Sequence, residues 1–140
     1  MTSDFNIAVY ALVHLSGKRE SLASSDELAK TINTHPVRIR RVMIKLKEAG
    51  MITTKAGVTG GYSLNESPDT ITLSQVAKAL SDDYIHVTWH SGEINQTDAQ
   101  RHGVQNILDD IFVKLNQTCD EVLSQITIAS ITTKLEDSSL

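Results

Sequence analysis

Between Pro36 and Gly50 the chain places five cations around an apolar stripe, in a segment bracketed by residues suited to starting and stopping a helix. Proline is tolerated in a first helical turn, where its missing N–H would find no partner anyway. Glycine is the common residue just past a helix end. The stripe is Ile39, Val42 or Met43, Leu46 and Ala49. Arg38, Arg40, Arg41, Lys45 and Lys47 fall largely off it. Such a helix buries one side and offers cations on the other. Just upstream, Ser24-Ser25-Asp26-Glu27 is a capping box that opens a short helix with Leu28, Ala29 and Ile32 facing inward. Asn33-Thr34-His35 is the turn between the two helices. Just downstream, Ile52 to Lys55 and Gly61 to Leu64 read as short strands, joined by the loop Ala56-Gly57-Val58-Thr59-Gly60.

Helix, turn, helix and hairpin in this order predict a mainly α fold with a small β wing, the winged helix-turn-helix plan. The rest of the chain fits around it. Phe5 to Ser16 predicts a first helix with Phe5, Ala8, Leu12 and Leu15 on one side and Gly17 as its stop. Thr72-Leu73-Ser74-Gln75 is a second capping box, opening a helix with Leu73, Val76, Ala77 and Leu80. From Ser81 to Gly103 the periodicity fails, apart from an alternation over Tyr84 to Trp89, and a linker or loop is expected. A long amphipathic helix is expected from Val104, with Val104, Leu108, Ile111, Leu115, Cys119, Val122 and Ile126 as a near-heptad seam. Thr127 is the expected cap of a last short helix carrying Ile128, Ile131 and Leu135. The expected domains are therefore a DNA-binding unit over 1–80, a linker over 81–103, and a dimerisation helix with a short C-terminal helix over 104–140. The seam has two readings: packing on its own winged-helix unit, or joining two copies. A seam of about six turns is long for the first and favours a homodimer.

Charge divides along the same line. Residues 1–64 hold nine basic and five acidic residues, +4, and residues 65–140 hold four basic and twelve acidic ones, −8. The total of −4 alone would argue against a polyanion partner. Six of the nine N-terminal cations lie between Arg38 and Lys55, however, which suits a nucleic-acid face on one half only. The alternative is a solvated helix face. No apolar run approaches the ~20 residues of a membrane span, and no signal peptide is read at the start, so a cytoplasmic protein without membrane contact is expected. No nucleophile elbow or His-Glu-x-x-His pattern occurs, and no enzyme activity is expected.

In the winged-helix plan the second helix of the pair enters the major groove, led by its N-terminal end. That places His35, Pro36, Val37, Arg38, Arg40, Arg41, Lys45 and Lys47 at the DNA. The wing residues Gly57, Val58, Thr59 and Gly60 would lie along the backbone or minor groove, with Lys55 as a phosphate cation at their base. The loop's glycines do not make a nucleotide phosphate loop, since no Lys-Ser/Thr follows and no helix opens there. Cys119 reads as either a buried inert thiol or a redox switch. His86, His90 and His102 are ordinary exposed residues or metal ligands; no metal and no cofactor are expected.

The residues also carry a resemblance. Asn33-Thr34-His35-Pro36, Arg40-Arg41 and Lys45-Leu46-Lys47-Glu48-Ala49-Gly50-Met51-Ile52 are similar to the recognition helix of the Rrf2 family of bacterial winged-helix regulators. Ala56 to Leu64 resembles its wing, and Ile71-Thr72-Leu73 and Ile126-Thr127-Ile128-Ala129 also match. The sequence most resembles the YwnA-like subgroup. The resemblance implies a homodimeric, sequence-specific transcriptional regulator that represses from a palindromic double-stranded DNA operator. A protein-interaction adaptor, in which the winged-helix dimer binds a partner protein or enzyme, is the alternative. Family members that carry an iron–sulfur cluster place three cysteines between the wing unit and the long helix. This chain has His86, His90, Glu93, Asp98 and His102 there and no cysteine, so no cluster is expected.

Overall fold

A computed structural model describes residues 2–18, 21–81, 83–85 and 99–139. The elements among them are α1 (Ser3–Ser16), α2 (Ser25–Ile32), α3 (Pro36–Glu48), β1 (Ile52–Lys55), β2 (Gly61–Leu64), α4 (Leu73–Ala79), α5 (Ala99–Ser124) and α6 (Ile128–Ser138).

Local chemistry sets most of the boundaries. The Ser24 hydroxyl accepts from the Glu27 N–H at the start of α2. The Glu27 side chain does not complete that box; it pairs with His14 and Lys18, which tie α2 to the end of α1. Asn33 ends α2 in the left-handed region, and His35 and Pro36 open α3. Thr72 with Gln75, and Thr127 with Ser130, form reciprocal capping boxes on α4 and α6.

Leu12 and Leu15 of α1, Leu28 of α2, Ile39, Val42, Met43 and Leu46 of α3, and Val76 of α4 close one hydrophobic core. Ala49, expected on the stripe of α3, is instead its exposed C-cap. The chain turns through Gly50 at φ +79, and Met51 takes the buried place at that end of the helix. Beyond it β1 and β2 pair antiparallel in the register Ile52↔Leu64, Thr53↔Ser63, Thr54↔Tyr62 and Lys55↔Gly61. Tyr62 also exchanges two backbone hydrogen bonds with Ala23, of 2.8 and 3.0 Å, which fasten the wing to the segment before α2.

The long helix starts earlier than its periodicity suggests, at Ala99, and ends at Ser124. Ile126 therefore lies past the end of α5, off the seam, and packs against the winged-helix core. Its carbonyl accepts from the Leu73 N–H at 2.9 Å, and the Ile128 N–H donates to the Ile71 carbonyl at 2.9 Å. α6 then runs back over α1, where Ser16 and Thr132 share a hydrogen bond of 3.0 Å. Ile128 is fully buried among residues of the first four helices. Among the described residues no helix is long and apolar enough to cross a membrane.

Candidate nucleic-acid interface

α3 lies with its core stripe inward and a mixed face outward. His35 is the N-cap: its Nδ1 accepts from the Val37 N–H at 3.2 Å, so the exposed ring orders the helix start. Val37, Arg40, Arg41 and Lys47 are exposed, and Arg38 and Lys45 are half-buried. Ile44 is also exposed, at 57%, and Val37 is exposed at 56%. Ile44 was not among the expected contact residues. The signal for it was present: an apolar side chain off the buried stripe of a basic helix.

The arginines are not equivalent. Asp4, in the first turn of α1, is only 17% exposed and takes hydrogen bonds from two of them. Arg38 Nη2 donates to its Oδ1 at 2.9 Å and to the Ser3 hydroxyl at 2.6 Å. Arg41 Nη2 donates to both carboxylate oxygens, at 3.0 and 2.9 Å. Burial works to raise the Asp4 pKa, and the hydrogen bonds and charges of Arg38 and Arg41 outweigh it, holding the carboxyl below its ordinary value. Asp4 therefore stays ionised at neutral pH and offsets part of the charge at this end of α3. Arg40 lies on the other flank, near Tyr62 of the wing, whose phenol is pushed upward by burial and drawn down by the Arg40 charge.

The wing tip is exposed, with Val58 wholly in solvent and Thr59 beside it. Its tightness depends on glycine: a Cβ at Gly60 would run into the Lys55 carbonyl, and one at Gly61 would stand 2.6 Å from the Ala23 carbonyl oxygen. Lys55 is exposed at the base of this loop. It borders a cleft of about 290 Å³ lined by Ser24, Ser25, Thr54, Gly57 and Gly60, among others.

A second polar cluster sits where α5 meets the winged-helix unit. The Asp120 carboxylate accepts from the Ser74 hydroxyl at 2.6 Å and the Tyr84 phenol at 2.7 Å, with Lys78 at 3.5 Å. Asn116 holds the Ile85 backbone by both its N–H and its carbonyl, at 2.8 and 3.1 Å. Burial and the bond to Asp120 push the Tyr84 phenol up to about 12. Along α5, Val104, Leu108, Ile111, Leu115 and Val122 are exposed and Cys119 is half-buried.

The profile of the Rrf2 family, described as an iron-dependent transcriptional regulator, matches residues 1–134. The chain belongs to the Rrf2 family. YwnA of Bacillus subtilis (strain 168), named as an HTH-type transcriptional regulator, is 27% identical over 131 residues, spanning 94% of this chain and 96% of YwnA. CymR, the global cysteine regulator of B. subtilis, superposes with a TM-score of 0.69 at 20% identity over 96% of each chain. IscR of T. potens superposes with a TM-score of 0.74 at 18% identity, over 100% of this chain and 90% of IscR. These two solved structures share the fold. This Rrf2 chain is a DNA-binding transcriptional regulator of the winged-helix class.

The residues of this Rrf2 protein do not fit an iron–sulfur cluster. Cys119 is its single thiol, and clusters are held chiefly by several thiolates. Among the described residues no three His, Cys, Asp or Glu side chains come together as a metal site. His86, His90, Glu93 and Asp98 lie outside the described residues, and His102 falls within α5.

Proposed function

We propose that the protein acts as a homodimer that represses transcription by occupying a palindromic operator. The observation that carries this reading is the outward face of α3, which sets cations beside an anchored, glycine-tipped wing while its apolar side closes the core. In this reading α3 enters the major groove and residues 57–60 follow the backbone or minor groove. Arg40, Lys45, Lys47 and Lys55 neutralise phosphates, and His35 and Pro36 orient the N-terminal end of the helix. Arg38 and Arg41 contribute from their Asp4 clamp.

Residues 1–80 form the reading unit, and α5 is the arm that joins the copies. The seam Val104, Leu108, Ile111, Leu115, Cys119 and Val122 pairs with its equivalent and leaves water; Ile126 serves as the anchor of α6 rather than as part of the seam. Two α3 helices fixed by a two-fold axis read half-sites about one helical turn apart, or a multiple of it. Repression follows from occlusion of the promoter, which needs no cofactor.

The test is selection of bound duplexes from a random pool by the purified protein. An enriched inverted repeat with that spacing supports the reading. Failure to enrich any duplex at low salt rejects it and favours the adaptor role, with a protein partner in place of DNA.

A further inference from the structure

α3 carries an apolar strip where a purely phosphate-binding helix would need none. Val37 and Ile44 are seven positions apart, so they stand one above the other two turns along the helix. Their side is opposite Ile39, Val42, Met43 and Leu46, all buried. The 3.6-residue period puts Arg40 and Lys47 along one flank of this strip and Arg38 and Lys45 along the other. The first flank lies toward the wing, where Arg40 acts on Tyr62, and the second lies toward α1, where Asp4 holds Arg38. Arg41 stands beside the strip with its Nη2 group committed to both Asp4 oxygens.

A narrow apolar strip between two cationic rails matches the cross-section of a major groove. Phosphate backbones form the two walls, and base edges form the floor. The apolar group a base pair presents on that floor is the C5-methyl of thymine. Water contact at Val37 and Ile44 is a cost in the free protein that burial against such methyls would relieve. The rise along α3 between the two residues is about 10.5 Å, close to three base-pair steps of about 3.4 Å.

We infer that Val37 and Ile44 read thymine methyl groups, at two positions about three base pairs apart in each half-site. This rests on the operator-binding reading above. The contact is a shape-and-methyl readout, made by side chains with no hydrogen-bonding group, and it is distinct from the cationic contacts on either flank.

The experiment uses the full chain and the duplex recovered by selection, resynthesised with deoxyuridine in place of each thymine in turn. Removing a buried methyl should weaken wild-type binding about fourfold at two positions per half-site and leave the others unchanged. Ile44→Ala should lose the sensitivity at one of those positions, and Val37→Ala at the other. Both side chains are exposed, so neither substitution disturbs the core. Selected duplexes that bind equally well with uridine at every position overturn the inference, and so does a uridine effect that survives in both variants. Failure to recover any duplex instead overturns the operator reading on which it rests.

Discussion

Asp4→Asn removes the charge that restrains two cations of α3 while keeping the size of the side chain. At about 4 Å and an effective dielectric near 20, each carboxylate–guanidinium attraction is about 4 kcal/mol before desolvation and screening. Arg38 and Arg41 are 39% and 58% exposed at their side chains, so most of that attraction is lost to water. The net cost to folding should be about 1 kcal/mol. DNA binding should move the other way. Two guanidinium groups released from one carboxylate add about one phosphate neutralisation per subunit, which steepens the salt slope of the dimer by about 1.8. Between 200 and 50 mM salt that corresponds to roughly a further 12-fold gain in affinity of the dimer for random-sequence duplex. Fluorescence anisotropy on a random-sequence duplex across that salt range measures it, beside urea unfolding for stability. The operator-to-random affinity ratio should fall, because the gain carries no sequence information. The sign with pH is also set. Asp4 has a folded pKa below its unfolded one, so its contribution is present above about pH 4 and fades as pH drops through the folded value. The Asn variant should lack that part of the acid sensitivity. An unchanged or weaker affinity for random duplex, with an unchanged salt slope, would show that Asp4 does not restrain these arginines.

Three other outcomes are expected. Ile128→Ala should cost about 2–5 kcal/mol of stability, read as a lower urea midpoint, because the residue is fully buried; a loss under 1 kcal/mol would mean α6 is not part of the core's closure. Replacing both Ile111 and Leu115 with Asp should give a monomer by sedimentation equilibrium with near-native circular dichroism, since both are exposed in the single chain; a double variant that stays dimeric rejects the seam. Lys55→Ala should weaken operator and random duplex alike and lower the salt slope by about one per subunit; a selective loss on operator DNA would make Lys55 a base reader.

The start of α3 and the spans of the two wing strands were legible because they follow from chemistry within a few positions. Pro36, Gly50 and the glycines at 57, 60 and 61 each meet a local backbone demand. The capping box at Thr72 and the cap at Thr127 were legible for the same reason; the reciprocal bond from Ser130 was not. What escaped reading depends on distance along the chain. Nothing in the pattern around Asp4 joins it to arginines 34 and 37 positions away. An acidic residue in a first helical turn reads equally well as a partner of the helix dipole. Ala49 fitted the helical period, but the chain turned before it reached the core and Met51 filled the space. Ile126 fitted the seam by spacing and left it because α5 stops at Ser124. The second-helix cations were found as a group; their separation into a clamped pair on one side and Arg40 on the other required the position of α1.

The burial of Ile128 against Ile71 also bears on how the protein is made. The two residues are 57 positions apart, with the whole of α5 between them. At about 5–20 residues per second a nascent chain spends roughly 2.5–10 seconds with α1 to α4 synthesised and their shared apolar hollow still open. Contacts of such long separation are slow to close and leave a sticky surface for chaperones to shield in the interval. The order of synthesis has a further effect. α5 is translated before Ile128, so the contact that closes this hollow forms only on a polypeptide that already carries α5.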